Sequence, residues 1–242
     1  KAGNVIERQL LTLDADFADI DFCDSIAMFA DYSYCIYSTH KHTEEKPRFR
    51  LLAPLSRPCS ADEYEAVARM IAFDIGIDMF DDTTYQSNRL MYWPSTSIDG
   101  KYVFECGEGK PVEVDRILKR YSNWKDVTEW PVSSRTIKSY ERAVKKQEDP
   151  ENKKGMVGAF CRTYDINSAI EEFLSDKYIN CAIDNRYTFT GGSTAAGLVV
   201  YENGKFAYSN HATDPASGKL CNAFDLVRIH LFNEFDEDVE QG

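Results

Sequence analysis

The sequence predicts an α+β domain with a mainly antiparallel sheet, followed by a small C-terminal α+β region. The first half of the chain alternates strand, helix, hairpin, helix and strands, which is typical of this class. Two segments rich in β-formers, 34–40 and 48–55, flank the turn-prone stretch 43–47 and indicate a hairpin. One strongly patterned helix follows that hairpin.

This helix has clear signals at both ends. Ser60 is a good N-cap and Glu63 completes a capping box, while Gly76 is a typical C-terminal stop. Apolar residues between them recur at helical spacing. The remaining predicted elements of the first region are strands at 5–13, 89–94 and 102–105 and helices at 24–31 and 114–121.

The second half of the chain predicts a connection and a smaller domain. Residues 131–154 are polar and charged, as expected of a helical linker. Beyond them we predict helices at 167–174 and 222–232 and strands at 187–189, 197–201 and 205–208, with Asn203 and Gly204 in a hairpin turn. The predicted division is therefore a larger N-terminal domain over 1–130, the linker over 131–154 and a small accessory domain over 155–242.

Composition excludes several classes of protein. The chain has 242 residues, of which 43% are hydrophobic, so it can build a real core. It contains neither a membrane-length apolar run nor a recognisable signal peptide. Its seven cysteines are odd in number and widely spaced, which argues against a disulfide framework and a zinc knuckle. We therefore expect a reducing, cytoplasmic location and no membrane partner.

The formal net charge of −12 taken alone counts against nucleic-acid binding. Basic residues are nevertheless concentrated locally. Residues 41–57 hold five basic and two acidic side chains, and residues 135–154 hold seven and four. Much of the acidity lies elsewhere, including a solvated tail at 234–238.

Asp14 and Asp16 follow the apolar run of the first predicted strand. Residues two apart on a strand point to the same face, so the two carboxylates lie side by side. Such a pair is tolerated where a divalent cation neutralises it or where solvent screens it. By itself the pair is compatible with either a metal site or a solvated turn.

Cations and histidines follow the next predicted strand. His40 and His42 precede a basic hairpin with Lys41 and Lys46, in which Arg48 and Arg50 alternate onto one strand face. Cations beside a carboxylate pair suit a metal–polyphosphate, because the metal bridges carboxylates to phosphates while the cations hold the remaining oxygens. Phe80, Asp81 and Asp82 supply a third carboxylate or, alternatively, an Asp-rich turn.

The order apolar-Asp-x-Asp, Ser-x-His, apolar-Asp resembles the three-motif signature of the archaeo-eukaryotic primase superfamily. Longer stretches resemble the primase-polymerase region of phage and prophage replication proteins of the virulence-associated E type. These stretches are residues 37–50, 80–85, 89–95, 157–162 and 222–228. The likeness covers nearly the whole chain.

This resemblance implies an RRM-like catalytic core and specific roles. Asp14, Asp16 and Asp81 would hold two Mg²⁺ or Mn²⁺ ions, with Asp82 an alternative to Asp81, and His40 would contact the phosphates of the incoming nucleotide. The candidates for binding triphosphate, sugar or template are Ser38, Lys41, Arg48, Arg50 and Arg89. The implied partners are a single-stranded DNA template and an NTP or dNTP.

A full-length relative would continue into a helicase-like domain, but this chain has no P-loop signature. The region 197–230 resembles a primase zinc-ribbon module that has lost its cysteines. His211 and Cys221 are too few for structural zinc, so none is expected.

Two other function classes remain open. His40-Lys41-His42 superficially resembles the metal motif of rolling-circle nicking enzymes, although a central Lys departs from it. The alternative is a non-catalytic origin-binding domain that keeps the fold without turnover.

Overall fold

The computed structural model describes residues 4–136 and 147–232, which divide into two compact units. The N-terminal unit comprises residues 5–124 and 129–136. The C-terminal unit comprises Asn4, residues 125–128 and the described residues from 147 onwards. The middle of the predicted helical linker, residues 137–146, lies outside the described residues.

The N-terminal unit is an antiparallel four-stranded sheet with helices. Its strands are ordered β1-β3-β2-β4, and each neighbouring pair is antiparallel. Its elements are β1 (Arg8–Ala15), α1 (Phe22–Phe29), β2 (Tyr34–Ser38), β3 (Phe49–Cys59), α2 (Ala61–Ile75), β4 (Phe104–Gly107) and α3 (Val114–Leu118). The predicted α+β class and the hairpin of β2 and β3 are confirmed.

The predicted ends of α2 are confirmed. The Ser60 side chain accepts from the backbone N–H of Glu63, and the Glu63 carboxylate accepts from the backbone N–H of Ser60. Gly76 ends the helix at φ 133°, a conformation that favours glycine. The buried face of α2 carries Tyr64, Val67 and Ile71, as the helical spacing predicted.

The two faces of the sheet differ. On one face lie the fully buried core residues Leu11, Leu13, Ile36, Leu51 and Ala53. The register pairs Leu13 with Leu51 and Leu51 with Ile36, so these apolar side chains share that face. The opposite face, which we call the open face, carries Asp14 and Arg50.

A row of four side chains crosses the open face. The register pairs Asp14 of β1 with Arg50 of β3, Arg50 with Tyr37 of β2, and Tyr37 with Phe104 of β4. Because side chains at paired positions point to the same side of a sheet, this row places a carboxylate, a cation and two aromatic rings in line.

The predicted strand at 89–94 was wrong, and two cysteines form a pair that the sequence did not indicate. Residues 89–94 form no strand but an exposed irregular segment, in which Leu90, Tyr92 and Trp93 are largely solvent-accessible. In addition, Cys35 and Cys106 are paired as a disulfide, with Cα atoms 4.2 Å apart at facing positions of β2 and β4. Register brings these two residues together, and their wide sequence separation gave no sign of it.

The C-terminal unit is a five-stranded antiparallel sheet in the sequential order β5-β6-β7-β8-β9, packed with helices. Its elements are α4 (Gly155–Thr163), α5 (Ile166–Phe173), β5 (Tyr178–Asn180), β6 (Arg186–Phe189), β7 (Leu198–Tyr201), β8 (Phe206–Ser209), β9 (Leu220–Cys221) and α6 (Ala223–Leu231). The sequence did not predict α4, β5 or β9. The predicted hairpin turn is present, with Asn203 at φ 53° and Gly204 at φ 98°.

His211 and Cys221 have structural surroundings in this unit. His211 is fully buried, and its Nε2 accepts from the backbone N–H groups of Phe189 and Gly197. Its Nδ1 lies 2.7 Å from the Thr194 hydroxyl. Cys221 belongs to the hydrophobic core.

None of the helices in the described ranges combines the length and the apolar character that crossing a bilayer requires.

Candidate metal and nucleotide site

The candidate site is built around the end of β1 on the open face. Asp14 lies inside β1, whereas the sequence had placed it just after the strand, and Asp16 follows the last residue of the strand. Because Asp16 lies in a turn, strand alternation does not fix the direction of its side chain, but its charge helps to raise the pKa of Asp14 after burial, so the two carboxylates lie near each other. The two neighbours of Asp14 in β1, Leu13 and Ala15, are fully buried and hold this strand against the core.

The segment that carries Asp81 is tied directly to β1. The backbone N–H of Asp81 donates to the carbonyl of Asp14 at 2.9 Å. In return, the backbone N–H of Asp14 donates to the Thr84 hydroxyl at 2.8 Å. The buried Phe80 ring packs edge-on against Phe22 of α1 and fixes this segment in the core. Residues far apart in the sequence are therefore held together by backbone hydrogen bonds.

Each of the three predicted metal-binding carboxylates faces an arginine. Arg48 Nη1 lies 2.8 Å from Asp16 Oδ1. Arg50 Nε lies 3.5 Å from Asp14 Oδ2. Arg89 Nη2 lies 3.8 Å from Asp81 Oδ2, and its side chain is nearly half exposed. Three of the five predicted nucleotide-binding residues thus lie beside the predicted metal ligands.

Asp14 is the least satisfied of these carboxylates. Its side chain is 18% exposed, and its Oδ1 is buried without a hydrogen-bond partner among the described residues. Burial raises the pKa of Asp14, and the charges of Asp16 and Asp81 raise it further, although Arg50 opposes the shift. A cation placed among these carboxylates would relieve both the desolvation and the repulsion.

Arg50 is held from several sides. Its Nη1 donates to the carbonyl of Tyr92 at 3.2 Å, and its guanidinium lies within 6 Å of the rings of Tyr37 and Tyr92. The Tyr37 hydroxyl donates to the same carbonyl at 2.7 Å. These contacts keep the cation beside Asp14 and hold the exposed segment around residue 92 over the open face.

Asp81 and Asp82 differ in their surroundings. Asp81 Oδ1 accepts from the backbone N–H and the hydroxyl of Thr83, and Asp81 contributes to the pKa shift of Asp14. Asp82 instead accepts from the Ser133 hydroxyl at 2.6 Å and lies 3.6 Å from Arg135. The geometry therefore favours Asp81 as the carboxylate of the site and gives Asp82 a structural contact.

Arg135 is a positioning residue that the sequence analysis did not single out. Its guanidinium stacks over Phe17 at 4.3 Å and donates to the carbonyl of Phe80 at 2.7 Å. It therefore holds the segment that presents Asp81. The sequence gave no signal for it, because Arg135 lies in the charged stretch assigned to the linker.

The remaining predicted residues lie in different places. Ser38 is fully buried, pairs with Phe49 on the core face and accepts from the backbone N–H of Val103 at 2.9 Å. The structure therefore does not bring the Ser38 hydroxyl to the open face. His40 and Lys41 are exposed in the loop between β2 and β3, where an incoming anion can reach them.

His42 has a structural role. Its Nδ1 accepts from the backbone N–H of Arg48 at 3.1 Å, and its ring packs against Phe49. Burial lowers the pKa of His42 and favours the neutral ring. With His40 exposed and His42 buried, this pair lacks the arrangement of two ligands that face one ion, which weakens the nicking-enzyme alternative.

Among residues 4–136 and 147–232, no three His, Cys, Asp or Glu side chains form a ready-made metal site. Each of the three candidate carboxylates instead faces an arginine. The oxygen donor set still suits a hard divalent ion, and Asp14 Oδ1 is buried without a partner. The residues present therefore fit Mg²⁺ or Mn²⁺ once arginines move aside.

Comparison with known proteins decides the family. The VapE N-terminal domain family matches residues 1–133, which include every predicted site residue. The chain belongs to the VapE N-terminal domain family. The resemblance to virulence-associated E proteins is thereby confirmed, and it supports an N-terminal region of a VapE-like phage or prophage replication protein. No curated protein and no solved structure matches the chain. The finer assignment to the primase superfamily rests on the sequence motifs alone.

Proposed function

We propose that this VapE-like chain is a DNA-dependent primase-polymerase that makes or extends primers on single-stranded DNA. The observation that carries the proposal is the unsatisfied carboxylate of Asp14 among other charged side chains. Its Oδ1 is buried without a hydrogen-bond partner among the residues that the structure describes. It lies near two further carboxylates, and each of the three acids faces an arginine. This combination of acids and cations matches the charges of a metal–triphosphate.

The acids of the site would hold the metal ions. Asp14, Asp16 and Asp81 are the proposed ligands of two Mg²⁺ or Mn²⁺ ions. When bound, such ions stabilise the attacking 3′-hydroxyl oxygen and the leaving phosphate oxygen in nucleotidyl transfer. The buried Phe80 and the backbone hydrogen bond from Asp81 to Asp14 hold the segments of these two carboxylates together.

The cations of the site would hold the nucleotide. Arg48, Arg50 and Arg89 each neutralise one carboxylate in the free protein. When a metal–nucleotide enters, each arginine can exchange its carboxylate for a phosphate oxygen, so the charge balance of the site is conserved. The exposed His40 and Lys41 would contact the outer phosphates. NTP and dNTP are both candidate substrates.

The proposed partners follow from this activity. A single-stranded DNA template would supply the sequence, and the site would reside in a longer replication protein with a helicase-like domain. The C-terminal unit would act as an accessory domain.

A primer-extension assay with a matched variant pair tests the proposal. The Asp14→Ala/Asp16→Ala double variant should lose Mn²⁺-dependent extension and de novo synthesis on a single-stranded template. Asp31→Ala is the control, because Asp31 is an exposed carboxylate that also pairs with an arginine, Arg116, at 2.9 Å. It should keep full activity. Full activity of the double variant would overturn the proposal.

Metal binding gives a second readout that does not depend on turnover. In a calorimetric titration with Mn²⁺, the wild-type chain and Asp31→Ala should bind the ion, and the Asp14→Ala/Asp16→Ala variant should not.

The absence of a ready-made metal site among the described residues favours one second candidate, a non-catalytic nucleotide- or origin-binding domain. In that case the arginines would keep their carboxylates and bind phosphate only from the outside. Nucleotide binding without Mn²⁺ and without extension would select this alternative.

A further inference from the structure

An exposed aromatic pair lies at the edge of the sheet that carries the candidate site. Phe104 belongs to β4, the edge strand, and is 56% exposed, while the preceding Tyr102 is 45% exposed. Their rings are nearly parallel, with an interplanar angle of 10° and centroids 6.5 Å apart. Single exposed rings occur elsewhere in the chain, but these two adjoin each other and form a small aromatic patch, which is a candidate surface for a partner.

The pair shares its face with the candidate site. Phe104 ends the row that runs through Tyr37 and Arg50 to Asp14. Three strand spacings separate the two ends of the row, which corresponds to about 14 Å. Burial raises the pKa of Tyr37, and both Asp14 and Tyr102 add to that shift against the opposing effect of Arg50. Tyr37 is therefore near enough to both Asp14 and Tyr102 to be affected by their charges.

The charges around the pair favour a polyanion. The one acid of β4, Glu105, pairs with Ile36 of the core face and so points away from the rings. On the core side of the sheet, burial raises the pKa of Tyr34, and the charge of Glu105 raises it further. On the open face the next charged side chain along the row is Arg50. The exposed Lys101 precedes Tyr102 and forms an ion pair with the exposed Glu44 at 2.7 Å, so Arg50 is the cation on which the charge argument rests.

We propose that Tyr102 and Phe104 form a stacking surface for the bases of a single-stranded DNA template that leads towards Asp14. This inference rests on the proposed function and assigns the site of its template. Unpaired bases stack on aromatic side chains without regard to sequence, while nearby cations hold the backbone. Exposed rings, a cation in the same row and an acid turned away are the features that such a strand requires. A protein partner is the competing occupant.

The test measures the affinity of the full chain for a fluorescein-labelled dT20 oligonucleotide by anisotropy, without metal or nucleotide. Phe104→Ala should weaken binding roughly tenfold, the loss expected for one stacked base. Phe104→Trp should bind as tightly as the wild type, since it keeps a ring. Phe104→Leu, which keeps apolar bulk but no ring, should bind weakly like the Ala variant.

Two controls make the result specific. Phe73→Ala removes a ring of similar exposure, 58%, from helix α2 and should leave dT20 binding unchanged. Thermal unfolding of each variant checks that the fold is kept. Because phosphate contacts stay intact, Phe104→Leu should keep the wild-type dependence of affinity on salt.

Several outcomes would overturn the inference. The first is that both Phe104→Ala and Phe104→Leu bind dT20 with wild-type affinity. The second is that Phe73→Ala loses as much dT20 affinity as Phe104→Ala. The third is that the wild type binds duplex DNA as tightly as dT20. A loss of dT20 binding in Phe104→Leu would support it even if the chain extended no primer, in which case only the proposed function would fail. Metal-dependent extension with unchanged dT20 binding in both variants would reject the stacking surface alone.

Discussion

Two buried aspartates, one in each unit, show what separates a candidate site from a structural cluster. Asp214 of the C-terminal unit has no solvent exposure, and Asp14 of the N-terminal unit has little. Burial acts to raise the pKa of both carboxyls. Asp214 nevertheless has a lowered pKa, because hydrogen bonds from His230, Ser209 and Tyr178 outweigh its burial.

The difference lies in the partners of each oxygen. Asp214 Oδ2 accepts from the hydroxyls of Tyr178 and Ser209 at 2.7 and 2.6 Å. Its Oδ1 accepts from the backbone N–H of Ala216 and lies 3.2 Å from His230 Nε2. Asp14 has one ion pair and one orphaned oxygen. A fully satisfied carboxylate stabilises its unit, whereas an unsatisfied one is ready to accept a ligand.

The largest effect predicted from this contrast is on stability. Asp214→Ala should lower the free energy of unfolding by about 3–5 kcal/mol, because it leaves buried donors on Tyr178, Ser209 and His230 without their acceptor. Asp14→Ala should have a much smaller effect. Urea denaturation measures both, with Asp176→Ala, an exposed acid paired with Lys177, as the control that should not change. If Asp14→Ala and Asp214→Ala lowered the free energy of unfolding equally, the proposed difference between the two aspartates would be wrong.

The pH dependence of stability should differ in sign between the two aspartates. The lowered pKa of Asp214 stabilises the protein above the ordinary value of 3.8, and this stabilisation is lost as pH falls through the folded-state pKa. The raised pKa of Asp14 has the opposite effect. The stabilisation that it contributes to the folded state is present below 3.8 and is lost as pH rises through the folded-state pKa.

Metal-free Asp14→Asn should therefore gain stability relative to the wild type as pH rises from about 4 to 7. Asp214→Asn should lose stability relative to the wild type as pH rises through the acid range to just above 3.8. Thermal unfolding across this pH series is the measurement. Parallel profiles for the two variants would show that their environments do not differ in the way described.

The smallest effect is expected at Asp82. Asp82→Asn keeps a side-chain oxygen that can accept from Ser133 and loses only a partly exposed ion pair with Arg135, so extension should change by about threefold or less. Asp81→Asn should lose extension by roughly a hundredfold or more, since it removes a proposed metal ligand. Kinetics of the two variants side by side would identify the third carboxylate. A larger loss for Asp82→Asn would reverse the assignment.

Local sequence signals predicted several elements of both units. The capping box at Ser60 and Glu63, the β-rich hairpin and the Asn203-Gly204 turn depend on neighbouring residues, and all three are present. The predicted strand at 89–94 was wrong. Its β-forming residues do not pair with a neighbouring strand, and the carbonyl of Tyr92 instead accepts from Tyr37 and Arg50.

For the candidate site, the sequence by itself determined which residues carry charge and which share a strand face. The period of two in side-chain direction predicted Asp14 with Asp16 and Arg48 with Arg50 on one face, and Asp14 and Arg50 are the two that lie inside their strands. The motif order also led to the VapE family, which the match over residues 1–133 shows.

Only the tertiary structure decided the rest. Strand register placed Arg50 beside Asp14 and Tyr37 beside Arg50. It also paired Cys35 with Cys106 and turned Ser38 into the core. Contacts between segments distant in the sequence bound Asp81 to Asp14 through a backbone hydrogen bond and made Asp82 the acceptor of the Ser133 hydroxyl. These outcomes depend on which strands are neighbours and on which oxygen atoms find donors, and neither is encoded in a local pattern of residues.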